Sequence, residues 1–144
     1  MDPTVLPFTM AFDTMNGNEV ISTTVKGVLR LEVEGIVMEF RRNHAVMSSR
    51  GVEESTSEVQ TVRLPMESLE GVELKESLIR PARFILHART LAAFAQIPGS
   101  GDVKRTLTIA RADRQRARML ETAIASRILQ DRLERGIDGL AGVL

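Results

Sequence analysis

The chain has 144 residues, of which 43% are hydrophobic and 26% charged, and its formal net charge is zero. This length and composition are typical of one globular domain, so we expect a single domain spanning residues 1–144. The absence of cysteine excludes disulfides, thiolate metal sites and cysteine nucleophiles. Without a signal-like N-terminus or an apolar stretch long enough to span a bilayer, we predict a cytoplasmic location.

Alternation of apolar and polar residues with period two dominates the first hundred positions and indicates half-buried β-strands. Phe8, Met10 and Phe12 mark the first strand, and the Asn16-Gly17 pair after them predicts a hairpin turn because both residues tolerate positive φ.

The second strand is long, and its alternation runs over residues 21–33. Gly27 lies in the middle of this run and predicts a bulge or a sharp bend. A tight turn at Glu34-Gly35 then leads into a returning strand at residues 36–41.

The alternation is lost over residues 43–57, which are rich in Ser, Thr and acidic residues, so we expect an exposed, mobile loop there. A strand resumes at 59–64 with Val62 and Leu64 facing inward, and Pro65 ends it. Short strands follow at 72–76, 83–87 and 107–109, with breaks at 80–81 and 97–101 and a short helical or turn segment at 90–95. In the strand at 83–87, Phe84 and Leu86 are expected to face inward and Ile85 and His87 outward.

A helical period replaces the strand period near residue 113, and we predict a helix over about residues 113–135. Asp113 is the expected N-cap, and Gly136 the expected end of the helix. Leu129 and Leu133 continue the apolar stripe toward a projecting helix end and an apolar tail at 137–144. The buried face is predicted to contain Ala117, Leu120, Ile124 and Ile128.

Charge is distributed unevenly along the chain. Residues 1–72 hold six basic and eleven acidic side chains, a net charge of −5, whereas residues 73–144 hold thirteen and eight, a net charge of +5. The segment 80–118, here called the basic segment, contains nine basic residues and two acidic ones. Such asymmetry indicates either an anionic partner or acidic and basic halves that compensate one another when the chain folds.

Four arginines of the basic segment form a candidate anion- or partner-binding site at the start of the predicted helix. Cations there oppose the helix dipole, so we expect compensation by acidic side chains of the N-terminal half or by an external anion such as a lipid headgroup, the third alternative being no compensation at all. Three further arginines would contribute if their segment lies nearby. The seven candidates are Arg111, Arg114, Arg116, Arg118, Arg41, Arg42 and Arg50.

No pattern in the sequence indicates catalysis, a metal site or a cofactor. His44 and His87 lack metal-ligand spacing, and Ser49 and Ser100 lack the strand–turn–helix context of a nucleophile elbow. The glycines of residues 98–101 precede a strand rather than a helix, which favours an ordinary turn over a phosphate-binding loop. We therefore predict a non-enzymatic protein without a metal or cofactor. With no Trp or Tyr to stack on bases, no nucleic-acid partner is expected.

The order of many antiparallel strands, a loop after the third strand and one closing helix resembles the pleckstrin-homology-like (PH-like) fold, and in particular a small bacterial group of unassigned function. The resemblance covers roughly residues 20–133. It implies an α+β, mainly β fold in which a partly open antiparallel barrel of about seven strands is capped by one C-terminal helix. The patterns that carry it are Gly27-Val28-Leu29-Arg30-Leu31 with Gly35-Ile36-Val37-Met38-Glu39-Phe40, Val62-Arg63-Leu64-Pro65-Met66-Glu67-Ser68-Leu69, and Leu107-Thr108-Ile109 leading to Asp113-Arg114 and Leu120.

The resemblance also implies a binding module, because PH-like domains mostly bind lipids, peptides or their own copies. The turn at Glu34-Gly35 lacks the basic Lys-x-Arg cluster of phosphoinositide-binding members, so no headgroup site is transferred. Our leading hypothesis is an interaction module that self-associates or binds a peptide or protein. The alternative is peripheral binding to an anionic membrane surface through the basic segment.

Overall fold

The computed structural model describes residues 5–99 and 102–143, with side chains up to Gly136. It contains eight strands, three short 3₁₀ turns and one long helix. The strands are β1 (Val5–Asn16), β2 (Glu19–Leu31), β3 (Gly35–Ser48), β4 (Gly51–Thr56), β5 (Gln60–Pro65), β6 (Leu69–Lys75), β7 (Ala82–Ala88) and β8 (Lys104–Ile109). The 3₁₀ turns are Met66–Ser68, Leu91–Phe94 and Arg111–Asp113, and the helix α1 is Arg114–Val143.

The strands form one antiparallel sheet in the order β4-β3-β2-β1-β8-β7-β6, and β5 also pairs with β3. Since β4 and β5 follow one another along β3, they act as one interrupted strand, and the sheet then has seven members. The sheet is not closed. The predicted fold class is confirmed: the chain is mainly β, antiparallel and open, with one long C-terminal helix.

The core consists of the inward-facing positions that the alternation predicts. Phe8 and Met10 are buried on β1, and Val62 and Leu64 are buried on β5. Removing a side chain of this size from water stabilises the fold by about 1.5–3 kcal/mol. In β7 the prediction was only partly right, since Ile85 is also buried. The predicted helix face is confirmed, because Ala117, Leu120, Ile124 and Ile128 are all buried against the sheet.

The two predicted hairpin turns connect β1 to β2 and β2 to β3. In the first turn the central residues are Gly17 and Asn18, and Gly17 has a φ of +64° whereas Asn18 does not have positive φ. Positive φ at the first central residue alone is the pattern of a type II′ turn, so the glycine is the residue that the turn requires. In the second turn, Glu32 and Gly35 exchange backbone hydrogen bonds of 2.8 and 3.3 Å.

Gly27 marks a close approach between strands and not the bulge that the sequence suggested. The pairing of β2 with both neighbours runs through Gly27 without a register shift, with Phe8 and Phe40 as its partners. A Cβ atom at this position would lie 2.3 Å from the Glu39 carbonyl oxygen and 2.6 Å from the Phe40 Cβ. Only a residue without a side chain fits between these strands.

The prediction of a mobile loop over residues 43–57 was wrong. β3 continues to Ser48, a two-residue turn follows, and β4 returns along it from Gly51 to Thr56. The pattern was missed because one face of this hairpin carries polar residues and β4 is exposed along its whole length. A strand with both faces exposed shows no apolar alternation.

The helix differs from its predicted bounds at both ends. It is entered through the 3₁₀ turn Arg111–Asp113, and the Asp113 carboxylate, expected to cap the helix, faces the Arg116 guanidinium at 3.9 Å. At the other end the helix continues through Gly136 to Val143, about 45 Å in all at 1.5 Å per residue. The side chains of 137–143 and the whole of Leu144, which include the predicted apolar tail, lie outside the described residues.

Candidate interaction surfaces

The four arginines at the start of α1 are used mainly inside the chain. Arg111 and Arg114 each donate two hydrogen bonds to backbone carbonyls of residues 77–80, those from Arg111 being 3.2 and 3.0 Å long. Arg116 faces Asp113. The guanidinium groups at the helix N-terminus are therefore met by carbonyls of residues 77–80 and by a neighbouring carboxylate, and within the described ranges no acidic side chain of the N-terminal half pairs with them. An external anion as their partner stays a prediction.

Arg118, the fourth member, forms an ion pair with Glu76. Its guanidinium donates to both carboxylate oxygens, with Nε at 3.0 and 3.1 Å and a terminal nitrogen at 2.8 Å. This hydrogen bonding lowers the pKa of the Glu76 carboxyl below its ordinary value and raises the pKa of Arg118. Both groups remain charged near neutral pH, so the pair holds the start of the loop after β6 against the helix.

The other three candidate arginines lie on the β3–β4 hairpin, away from α1. Arg50 is exposed in the turn between the two strands. Arg41 and Arg42 are neighbours on β3 and therefore point to opposite faces of the sheet. Arg41 lies opposite Lys26 of β2 on the outer face. Within the described ranges no hydrogen bond or ion pair joins these three arginines to the arginines of α1. The seven arginines that the sequence analysis grouped together therefore form two separate groups.

Arg42 and His44 line a groove of about 610 Å³ on the inner face of β1–β4. Its floor includes the cross-strand row of Phe12, Thr23, His44 and Ser55, and its wall is the segment 95–99. Thr23 Oγ1 and His44 Nδ1 are 2.9 Å apart, which fixes the imidazole. The sequence analysis predicted a loop around His44. Arg42 and His44 are two positions apart, so they share one face of a strand, but this signal is useful only once the segment is known to be a strand.

The wall of this groove is held by Arg105, which is only 5% exposed. Its guanidinium donates to the carbonyls of Asp102 at 2.8 Å and Phe94 at 3.3 Å, and it lies 5.4 Å from the centre of the Phe94 ring. Burial lowers the pKa of Arg105, and Asp102 partly offsets this effect. The arginine therefore serves to position the segment that borders the groove.

The outward side of β4, here called the β4 edge, is an unpaired edge of the sheet. Ser57 N–H donates to the Arg42 carbonyl at 2.9 Å, so the residues two and four positions earlier, Ser55 and Glu53, also direct their backbone groups toward β3. The intervening residues must then direct their N–H and C=O groups outward. These are Val52, Glu54 and Thr56, and all of β4 is exposed.

The opposite edge of the sheet, at β6, is covered by the helix. Glu121 of α1 accepts a hydrogen bond of 2.5 Å from the Leu74 N–H, and Arg132 donates one of 2.6 Å to the Glu70 carbonyl. Side chains of α1 thus occupy backbone groups that another strand would use. Among the described residues, no comparable contact covers the β4 edge.

An apolar row crosses the outer face of β1–β4 near its turns. Directly paired residues share a face of the sheet, and the pairings Met15–Val20, Val20–Met47 and Met47–Val52 make one continuous row, here called the tip row. Met15 is 71% exposed and Val52 is 61% exposed. The row ends at the β4 edge, so an added strand would extend it.

The described residues contain no group of three or more His, Asp or Glu side chains arranged to hold a metal ion. Thr23, the hydroxyl in contact with His44, is only 3% exposed. No helix in the described ranges is long and apolar enough to cross a membrane. Comparisons with protein-family models, curated proteins and solved structures find no match.

Proposed function

We propose that this chain is a non-enzymatic protein-interaction module whose β4 edge binds an extended segment of another protein. The observation that carries the proposal is the asymmetry of the two sheet edges: α1 covers β6, and β4 is left with outward N–H and C=O groups. Adding a strand to such an edge is a recurring mode of peptide recognition, in which main-chain hydrogen bonds supply affinity.

The charge of β4 favours a basic partner over a second copy of the chain. Glu53 and Glu54 occupy the middle of the strand on opposite faces, and neither has an ion-pair partner in the described ranges. Two β4 strands paired antiparallel about either residue would place glutamates directly opposite one another, which is destabilising. Lys or Arg side chains of a partner strand would instead meet these carboxylates.

The tip row adds an apolar contact to the same edge. Val52 is its last member, and a partner strand would lie beside it at the separation of about 4.8 Å usual in sheets. An aliphatic residue of the partner on the outer face would cover part of Val52 and continue the row. The expected ligand is therefore an extended segment with one aliphatic residue close to basic residues.

A peptide-display selection on the immobilised chain tests this proposal. Selected peptides should carry that pattern, and Glu54→Pro should weaken their binding about tenfold, since proline removes an outward donor and blocks the approach of the partner. The fold should survive, because the Glu54 N–H does not bond to β3. Glu54→Gln is the matched control, with the donor kept and a loss of only about two- to threefold.

Unweakened binding to Glu54→Pro would contradict the proposal. Light scattering on the unliganded chain addresses the other half of our leading hypothesis, which is self-association. A dimer that Glu54→Pro dissociates would identify a second copy of the chain as the partner at this same edge.

The alternative function, binding of an anionic membrane directly through the arginines of the basic segment, has less support. The guanidinium groups of Arg111, Arg114 and Arg118 already have partners within the chain, so direct headgroup binding would replace existing bonds. The PH-like assignment also stays a proposal. The open antiparallel sheet and its single C-terminal helix support it, and the interrupted β4–β5 strand brings the count to seven.

A further inference from the structure

We propose that residues 76–81, the loop between β6 and β7, are a membrane-docking element that inserts Leu78 and Ile79 into the surface of an anionic bilayer. Leu78 is 92% exposed and Ile79 is 85% exposed. They are adjacent, so the loop presents two large aliphatic side chains to water at one point. Burial of such side chains is strongly favourable, and an exposed pair of this kind marks a contact surface.

The backbone of the loop is hydrogen-bonded to two arginines at the start of α1. Arg111 donates to two carbonyls at 3.2 and 3.0 Å, and Arg114 donates to two more, one of them at 2.9 Å. The four acceptors are the carbonyl groups of Ser77, Leu78, Ile79 and Arg80. These four bonds tie the backbone of the loop to α1, while its two aliphatic side chains remain exposed to solvent.

Two amide groups of the loop also have partners within it. Ser77 Oγ accepts from the Ile79 N–H at 3.2 Å and from the Arg80 N–H at 3.3 Å. The hydrocarbon region of a bilayer supplies no hydrogen-bond partner to a backbone group, so unpaired N–H and C=O groups make insertion into it costly. In this loop the cost is lower, because these backbone groups already have partners within the chain. Internal pairing of this kind favours a lipid surface over a protein partner, since a protein partner would supply hydrogen bonds itself.

The surroundings of the loop carry the charge that an anionic bilayer attracts. Residues 76–83 and 111–118 together contain six arginines and two acidic residues, and both acids face arginines of α1. Arg80, Arg83 and Arg111 are exposed. Basic residues near the tip would draw it to acidic lipids, and the aliphatic pair would then insert. Arg111 and Arg114, which bind the loop carbonyls, act as positioning residues.

This site is separate from the β4 edge and goes beyond the function proposed above. The loop belongs to the β6–β7 connection, whereas the edge belongs to the β3–β4 hairpin. A variant at one site leaves the other unchanged, so either proposal can fail alone.

Vesicle flotation of the full chain tests the proposal, with vesicles of phosphatidylcholine alone and of phosphatidylcholine mixed with phosphatidylserine. The wild type should bind the mixed vesicles, and salt should weaken this binding. The double variant Leu78→Ser/Ile79→Ser should lose about tenfold or more in affinity, since two inserted aliphatic groups are removed. Val33→Ser/Leu129→Ser is the matched control: both residues are exposed, both lie elsewhere, and binding should be unchanged.

A fluorescence measurement gives a second readout. The chain contains no tryptophan, so Leu78→Trp introduces a single reporter at the tip. Its emission should shift to shorter wavelength with the mixed vesicles and should be quenched by lipids brominated in their acyl chains. Failure of the wild type to bind either vesicle, equal binding by the Leu78→Ser/Ile79→Ser variant, or an indole emission of the Leu78→Trp variant that vesicles leave unchanged would each overturn the proposal.

Discussion

Several arginines in this chain are bonded to backbone carbonyl groups rather than free in solvent. Arg105 is the most buried of them, and Arg111, Arg114, Arg127 and Arg132 each donate to at least one carbonyl of a turn, loop or strand start. A guanidinium presents five N–H donors in a fixed plane, whereas a lysine offers one compact ammonium group. This use gives a physical reason for the chain to carry 16 arginines and only 3 lysines.

The sequence analysis identified Arg111 and Arg114 as candidate residues, but it could not predict the carbonyl groups to which they bind. The bonds from Arg111 and Arg114 reach residues 32–37 positions earlier in the chain. A local pattern shows that arginines gather at 111–118, but the fold decides which carbonyl groups face them. The sequence therefore predicted the arginine cluster but not the backbone carbonyl groups that it binds.

Gly27 offers a prediction at the scale of one residue. Gly27→Ala should lower the free energy of unfolding by about 2–3 kcal/mol, because its Cβ would meet a backbone carbonyl and the Phe40 Cβ, and neither can move freely. Chemical denaturation measures the change. Gly71→Ala is the control, since a Cβ there meets nothing within 4 Å, and it should not destabilise the fold. A loss below about 0.5 kcal/mol for Gly27→Ala would contradict the close approach.

At the scale of elements, sequence prediction succeeded where one face of a strand is buried. β1, β2, β7 and the first half of β3 were recognised because their inward residues enter the core. The second half of β3 borders a groove and carries Arg42 and His44 inward, so the contrast between faces disappears. Both missed strand segments belong to the hairpin that carries the proposed binding edge.

The end of α1 gives a prediction for one element. The helix continues through Gly136, where a Cβ would meet nothing within 4 Å, so Gly136→Ala should stabilise the chain by up to about 1 kcal/mol. If Gly136 instead ended the helix in a left-handed conformation, as the sequence suggested, alanine would destabilise by a similar amount. Thermal unfolding followed by circular dichroism distinguishes the two signs.

At the scale of the whole molecule, the two oppositely charged halves meet along the helix. Arg132 pairs with Glu70 at 3.2 Å and Arg135 with Glu67 at 2.8 Å, which joins the second half of α1 to β6 and to the 3₁₀ turn before it. The compensation expected between the halves is thus present at this contact. Elsewhere the acidic half keeps glutamates without such partners in the described ranges, including Glu53 and Glu54 on β4.

The covering of one sheet edge and not the other is a property of the assembled fold. The helix reaches β6 because β6 is the last strand in the sheet order, and Glu121 then bonds to the Leu74 N–H. No local pattern in β4 or β6 reveals which of them is covered. The proposed function therefore depends on topology more than on any motif, which is why the sequence alone indicated a binding module without a site.

Amide hydrogen exchange of the chain bound to a selected basic peptide shows whether the peptide adds a strand at β4. Strand addition at β4 should slow exchange at Val52, Glu54 and Thr56, whose N–H groups point outward, and leave Glu53 and Ser55 nearly unchanged because they already bond to β3. Slowed exchange only around residues 95–99, with no protection of the outward amides of β4, would rule out strand addition at β4 and place the peptide in the groove.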